Sequence, residues 1–182
     1  MMMVSFAALI MLECRRFEMN TVNAAFELLA RNLDRHPDKT AYYCGESALS
    51  HCELEEECRR FALLLQERDI APGERVLLVL PDGFAFPVAF LGCLLAGVIA
   101  VAASTTLREE DYAHILEDSG ARLLATHPDL SSPRAAAGNR VEVILCNDHG
   151  SFDAPPPAGT GFTHFRPTPD DFAFMLYSSG ST

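Results

Sequence analysis

The chain has 182 residues, 49% of them hydrophobic and 21% charged, and a formal net charge of −11. That length and balance suit one globular domain burying roughly 70% of its unfolded surface. The charge excludes a nucleic-acid binder, which needs clustered Lys and Arg to displace counterions, and otherwise bears on solubility rather than on the choice of small ligand.

Met1 to Leu12 is apolar, but no basic region precedes it, and Glu13-Cys14-Arg15-Arg16 stands where a signal peptide needs small residues. Residues 1–18 therefore read as an extension outside the fold, and residues 19–182 as the domain. Asn20 or Thr21 can cap a helix from about Val22 to Leu33, with Ala25, Leu28, Leu29 and Ala30 as its apolar stripe. His36-Pro37-Asp38 ends it. Thr40 to Cys44 and Ala48 to Ser50 flank Gly45-Glu46 as a short hairpin. Ser50 with Glu53 forms a capping box that opens a long helix to about Arg68, with Leu54, Cys58, Phe61, Ala62 and Leu65 inward. Its Glu55, Glu56, Arg59 and Arg60 form a solvated face.

Pro72-Gly73 turns the chain into an apolar strand, Arg75 to Leu80. Phe84 to Ala103 then carries no charge over about twenty residues, long enough to span a bilayer. Pro87 in a first helical turn, Gly97 as a C-terminal cap and the strand-like Val98-Ile99-Ala100-Val101 argue instead for a buried helix followed by a buried strand. A helix from about Arg108 to Ser119 follows, closed by Gly120, with Glu109, Glu110 and Asp111 at its positive end. A strand Arg122 to Thr126, a short helix Ser131 to Ala137 and a strand Val141 to Cys146 complete the alternation. Strands without polar alternation are covered on both faces, so the fold class is α/β, a mostly parallel sheet flanked by helices on both faces. Residues 147–171 are rich in Pro and Gly and read as a long loop returning to the sheet. Phe172 to Leu176 reads as a further buried strand.

The six cysteines, Cys14, Cys44, Cys52, Cys58, Cys93 and Cys146, show no C-x-x-C pair, so no zinc site and no disulfide framework is expected. Cys93 and Cys146 read as small buried hydrophobes, and reduced thiols imply a cytoplasmic address. His51-x-Glu53 matches half of a zinc-deaminase signature, but the required P-C-x-x-C is missing. Gly159 and Gly161 begin a dinucleotide fingerprint that His164 breaks, and Pro155-Pro156-Pro157 stand where its strand belongs. No Walker G-x-x-x-x-G-K occurs. The candidate site is the end of the chain, where Tyr177 leads into Ser178, Ser179, Gly180, Ser181 and Thr182. A strand opening into a Gly- and hydroxyl-rich turn is a means of holding phosphate: glycine admits close backbone approach, and N–H and hydroxyl groups converge on one concavity.

In this order the segments resemble the N-terminal part of the adenylate-forming acyl- and aryl-CoA ligase superfamily, over Val22 to Thr182. The family's "H-P-D-K-T-A" segment is here His36-Pro37-Asp38-Lys39-Thr40-Ala41. Its "L-S/T-Y-x-E-L" helix start is Leu49-Ser50-His51-Cys52-Glu53-Leu54, with His51 in place of tyrosine. Its "G-x-R-V" is Gly73-Glu74-Arg75-Val76, and its "F-L-G-x-x-x-A-G" is Phe90-Leu91-Gly92 with Ala96-Gly97. Its loop "Y-S/T-S-G-S/T-T-G-x-P-K-G" is present as far as Thr182, so the chain stops inside the loop. Phe86-Pro87-Val88-Ala89-Phe90-Leu91-Gly92, Asp111-Tyr112-Ala113 and Leu116-Glu117-Asp118-Ser119 are most similar to the benzoate-CoA ligase branch. One departure is Val101-Ala102-Ala103-Ser104, where the family places a "V-P-x-x-P" stretch; losing the prolines loosens the loop.

The resemblance implies a fragment of an enzyme that uses ATP, Mg²⁺ and CoA: a carboxylic acid, with an aromatic acid such as benzoate favoured, attacks the α-phosphorus of ATP, and CoA then displaces AMP. Ser178 to Thr182 would hold the phosphates, and Tyr177 would end its strand and pack. The loop's lysine, the metal and ribose ligands and the acid pocket belong to later parts of the family pattern. The isolated chain is therefore expected to hold none of these cofactors tightly and to lack activity. No catalytic or metal-binding residue is assigned within it, and neither a nucleic-acid partner nor a membrane span is expected. An alternative is a non-catalytic folded relic that docks on a full-length ligase. A sheet edge left open at Leu176 would favour self-association.

Overall fold

A computed structural model describes residues 22–147, 151–152 and 162–177. Helix α1 (Ala24–Arg35) leads to a hairpin, β1 (Thr40–Cys44) with β2 (Ser47–Ser50), and then to α2 (His51–Glu67). The alternating part follows as β3 (Arg75–Val79), α3 (Ala85–Ala96), β4 (Ile99–Ala102), α4 (Glu109–Ser119), β5 (Leu123–Thr126), α5 (Ser131–Ala137) and β6 (Glu142–Leu145). Strand β7 (Phe174–Leu176) comes last. The five-stranded sheet runs β6-β5-β3-β4-β7 with every neighbouring pair parallel, as the unbroken apolar runs require. The hairpin forms its own antiparallel sheet, with Gly45 at φ +59° in its two-residue turn.

Two cores line the two faces. On the first, Val76, Leu78, Ala100, Leu123 and Ala125 meet α1, α2 and α3. On the second, Leu77, Val79, Val101 and Leu124 meet Tyr112, Ile115 and Leu116 of α4 and Ala136 and Ala137 of α5. The twenty uncharged residues resolve into α3 and β4, broken at Gly97, whose φ of +74° is the left-handed cap. Among the described residues no helix is long and apolar enough to cross a membrane.

The motif residues act mainly through packing and capping. Ser50 and Glu53 form the expected reciprocal box at the start of α2. The backbone hydrogen bond from Ser50 holds the Glu53 carboxyl below its ordinary pKa, so the half-signature His51-x-Glu53 is a helix cap. A Cβ on Gly92 would lie 2.8 Å from the Cys58 carbonyl and 2.9 Å from the Phe61 ring, so glycine there lets α3 lie directly on α2. Arg75 crosses to the end of α4, its Nε donating to the Ser119 carbonyl at 2.6 Å. A cation on the last carbonyls of a helix completes the hydrogen bonding of that end and opposes its negative dipole.

Three expectations change. Asn23, not Asn20 or Thr21, caps α1: its side-chain oxygen accepts from the N–H groups of Ala25 and Phe26, while its amide donates to the carbonyls of Leu94 and Phe165. Residues 20 and 21, like the extension 1–18, lie outside the described residues. Leu28 is 52% exposed; Ala25 and Leu29 are the buried residues of α1. Strand β7 begins at Phe174 and, among the described residues, is bonded to β4 alone; Met175 and the following Tyr177 pack on the second core, while Phe174 and Leu176 are exposed. Of the returning loop, residues 162–171 run without regular structure, pinned at Phe165, whose N–H donates to the Leu95 carbonyl at 2.8 Å.

Two substitutions test this packing. A Cβ on Gly97 would fall 2.3 Å from the Phe165 ring, whereas Gly73, at φ +83°, faces open space. Gly97→Ala should cost about 2–4 kcal/mol, backbone strain plus overpacking, and Gly73→Ala about 1 kcal/mol from strain alone. Equal losses in urea unfolding would remove the Phe165 seat from the account. Thr126 is buried, and among the described residues its hydroxyl has no hydrogen-bond partner. Thr126→Val should be neutral or stabilising by about 1 kcal/mol, and a clear loss would mean that the hydroxyl is satisfied.

Candidate functional site

In an open parallel sheet, ligands sit beyond the carboxyl ends of the strands where consecutive connections leave for opposite faces. Here the chain leaves β3 toward α3 on the first face and leaves β4 toward α4 on the second. Between the two departures lies a cleft of about 450 Å³, lined by Leu80-Pro81-Asp82 after β3, Phe86, and Ala102 to Thr105 after β4.

The loop after β4 is tied down despite its missing prolines. Ser104 Oγ and Thr106 Oγ1 share a hydrogen bond of 2.9 Å, and the Thr106 N–H donates to Ser104 Oγ at 3.3 Å. Tyr112, buried in the second core, donates its hydroxyl to the Ser104 carbonyl at 2.7 Å. Burial raises the pKa of that phenol, so it serves as a neutral donor. This brace is made between residues eight apart by a tyrosine on the next helix.

Strand β7 runs beside β4, with Leu176 paired to Ala102, which brings Tyr177 to the same carboxyl edge. Tyr177 ends the strand and packs against the second core, as expected, and its hydroxyl donates to Asp118 Oδ2 at 2.6 Å. Burial and this hydrogen bond push the Tyr177 pKa up to about 12. The candidate phosphate-binding residues Ser178, Ser179, Gly180, Ser181 and Thr182 lie outside the described residues. The carboxyl edge thus brings together Asp82, the Ser104-Thr105-Thr106 turn and Tyr177. Sequence reasoning gave Asp82, Thr105 and Thr106 no role, although three small hydroxyl residues directly after an apolar strand repeat the pattern that singled out Ser178 to Thr182.

Other reactive groups do not assemble. Cys58, Cys93 and Cys146 are buried, and burial pushes the Cys58 and Cys93 thiols well up, the opposite of an activated nucleophile. Among the described residues no three His, Cys, Asp or Glu side chains group as a metal site.

A strand-end cleft of this kind on a parallel α/β sheet suits a nucleotide-binding enzyme. Residues 29–182 match the AMP-binding enzyme family, and the chain belongs to it. It is 34% identical to benzoate–CoA ligase of Thauera aromatica over 169 residues, 88% of this chain and 32% of that one. It is 30% identical to 3-hydroxybenzoate–CoA/4-hydroxybenzoate–CoA ligase of the same organism over 178 residues, 89% of this chain and 33% of that one. Among solved structures, a benzoate CoA ligase from Burkholderia xenovorans LB400 superposes with a TM-score of 0.73 at 35% identity, covering 84% of this chain and 32% of that one. The chain therefore spans about a third of the length of each of these three relatives.

Removing the Tyr177 hydroxyl tests its anchor. The raised pKa means that the bond contributes fully below the ordinary tyrosine value of 10.0 and is lost as pH rises toward about 12. Tyr177→Phe should cost about 0.5–1.5 kcal/mol at pH 8, toward the low end because the acceptor carboxylate is exposed. The gap between variant and unsubstituted chain should close across that alkaline window; a gap independent of pH in urea titrations would contradict the bond.

Proposed function

We propose that this chain supplies the nucleotide-facing first part of an ATP-dependent aryl-CoA ligase, with benzoate or a close aromatic relative as the acid. The observation that carries the reading is the delivery of β7 and Tyr177 beside the cleft after β4, in a chain similar to benzoate and hydroxybenzoate ligases. Ser178 to Thr182 would then begin at the carboxyl edge of the sheet, where converging N–H and hydroxyl groups meet phosphate oxygens.

The reaction would take two steps. The acid's carboxylate oxygen attacks the α-phosphorus of ATP and expels pyrophosphate, and the thiol of CoA then attacks the acyl carbon and expels AMP. Adenylation is needed because a free carboxylate is a poor electrophile, while AMP leaves readily. Negative charge gathers on phosphate oxygens, so donors and cations set in place beforehand do most of the work. Mg²⁺ would neutralise part of that charge when bound, and hydroxyl residues of the loop fit as further donors. Tyr177 would serve as an anchor for the loop's first residue, not as a base, because burial and its hydrogen bond to Asp118 push its pKa up to about 12 and keep the phenol protonated at working pH.

A chain spanning a third of its relatives carries only part of such a site. Each missing preorganised donor costs on the order of 10²–10³ in rate, so the 182-residue polypeptide alone should neither adenylate acids nor bind ATP tightly. Pyrophosphate release from benzoate, ATP and Mg²⁺ should stay at the blank. A fusion in which residues 22–182 replace the matching third of a benzoate–CoA ligase should restore benzoate-dependent release. A fusion that folds yet binds no ATP would refute the phosphate-loop reading, and turnover by the isolated chain would refute its incompleteness.

A further inference from the structure

We propose that Asp118 is a positioning residue for ATP: by holding Tyr177 it fixes where Ser178 to Thr182 leave the sheet. The proposal rests on the ligase reading and adds to it a residue outside the loop. Among the described residues β7 pairs with β4 from Phe174 to Leu176, so strand pairing aligns the chain no further than Leu176. Tyr177, the next residue, is held through its side chain, which packs on the second core and donates to Asp118 Oδ2 at 2.6 Å. Ser178 follows directly, so any freedom left at Tyr177 passes to the first residue of the loop.

The place of Asp118 in its helix points to this bond as its role. It stands beside Glu117 in the last turn of α4, where the helix dipole is negative and an acidic side chain is unfavourable. The same end attracts a cation, Arg75, to the Ser119 carbonyl. Asp118 is exposed, and among the described residues Tyr177 is its one hydrogen-bond partner and it joins no ion pair. A carboxylate that works against its own helix and reaches one residue 59 positions away serves that residue. Its base is firm, since Tyr112, Ile115 and Leu116 of α4 are buried in the second core and Gly120 caps the helix in the left-handed conformation. Tyr112 also holds the Ser104 carbonyl, so one helix braces both the turn after β4 and the departure from β7.

Kinetics of the fusion carrying residues 22–182 test this through the split between substrates. Asp118→Ala should raise the KM for ATP about three- to tenfold, the worth of one hydrogen bond, and leave the KM for benzoate within about twofold. The urea midpoint of the 182-residue chain should change little, because relief at the helix end offsets the lost bond. Asp118→Asn, whose side-chain oxygen can still accept from Tyr177, should keep most of the ATP affinity. Tyr177→Phe should raise the same KM as Asp118→Ala does, and the double variant should be no worse than either, because both remove one bond. An unsubstituted fusion without benzoate-dependent pyrophosphate release would sink the ligase reading and this proposal together. With that release present, a KM for ATP unmoved by Asp118→Ala, equal losses for both substrates accompanied by a lower urea midpoint, or additive effects in the double variant would overturn the positioning role alone.

Discussion

Everything at the amino-terminal edge of the sheet turns on the bare backbone of Gly97. Its left-handed φ ends α3, and its missing side chain leaves the space that the Phe165 ring fills. The last carbonyls of α3 have no partner one turn further on, as at any helix end, and the Gly97 N–H turns back to those of Cys93 and Leu94. Here Leu94 is met by the Asn23 amide and Leu95 by the Phe165 N–H, from segments 71 and 70 positions away. The Asn23 amide also meets the Phe165 carbonyl, so first helix, central helix and returning loop share one set of hydrogen bonds. Phe26 stacks on His164 at 3.8 Å and extends the same contact. Fixing Phe165 fixes the approach of β7 to β4, and through β7 the place where Tyr177 leaves the sheet. A constraint at one edge therefore sets the geometry of the other.

This gives a physical meaning to the short motifs that mark the family in this chain. Gly92 and Gly97 are close-approach positions, Arg75 closes the end of α4, and Ser50 with Glu53 opens α2. None of them reaches the cleft. They are recognisable because a missing Cβ or a helix-end partner admits few alternatives, whereas residues lining a cleft answer only to the ligand. Motifs that identify this fold are therefore weak guides to what the cleft binds.

What could be read from the sequence follows the same division. Apolar runs without alternation implied the parallel sheet, and local capping chemistry located α2, α3 and α4 within a few residues, because those signals act between neighbours. Asn20, Thr21 and Asn23 offer the same local capping chemistry, and Asn23 is distinguished by the distant carbonyls of Leu94 and Phe165. Leu28 stands at helical spacing from Ala25 and still faces outward. Phe172 to Leu176 reads alike for a central and an edge strand, since both of its faces are apolar and period alone cannot tell them apart. The bond from Tyr177 to Asp118 joins residues 59 apart, and no local pattern announces it.

Charge sets the terms on which the carboxyl edge could hold a nucleotide. The described residues there bring Asp82 and, in the first turn of α4, Glu109, Glu110 and Asp111, with Arg108 beside them. The Asp111 carboxylate is engaged with the Arg108 N–H at 3.0 Å, but the local balance remains acidic. A triphosphate approaching this edge meets repulsion that hydroxyl and amide dipoles offset only in part. The tyrosine that leads into the candidate loop is itself held neutral against Asp118, so it adds no further negative charge at working pH. Counter-charge must then come from a divalent cation or from basic side chains beyond those described. An acidic chain of this fold can take part in ATP chemistry only in company with them. The sheet supplies position, and the charge that makes phosphate binding favourable has to be brought to it.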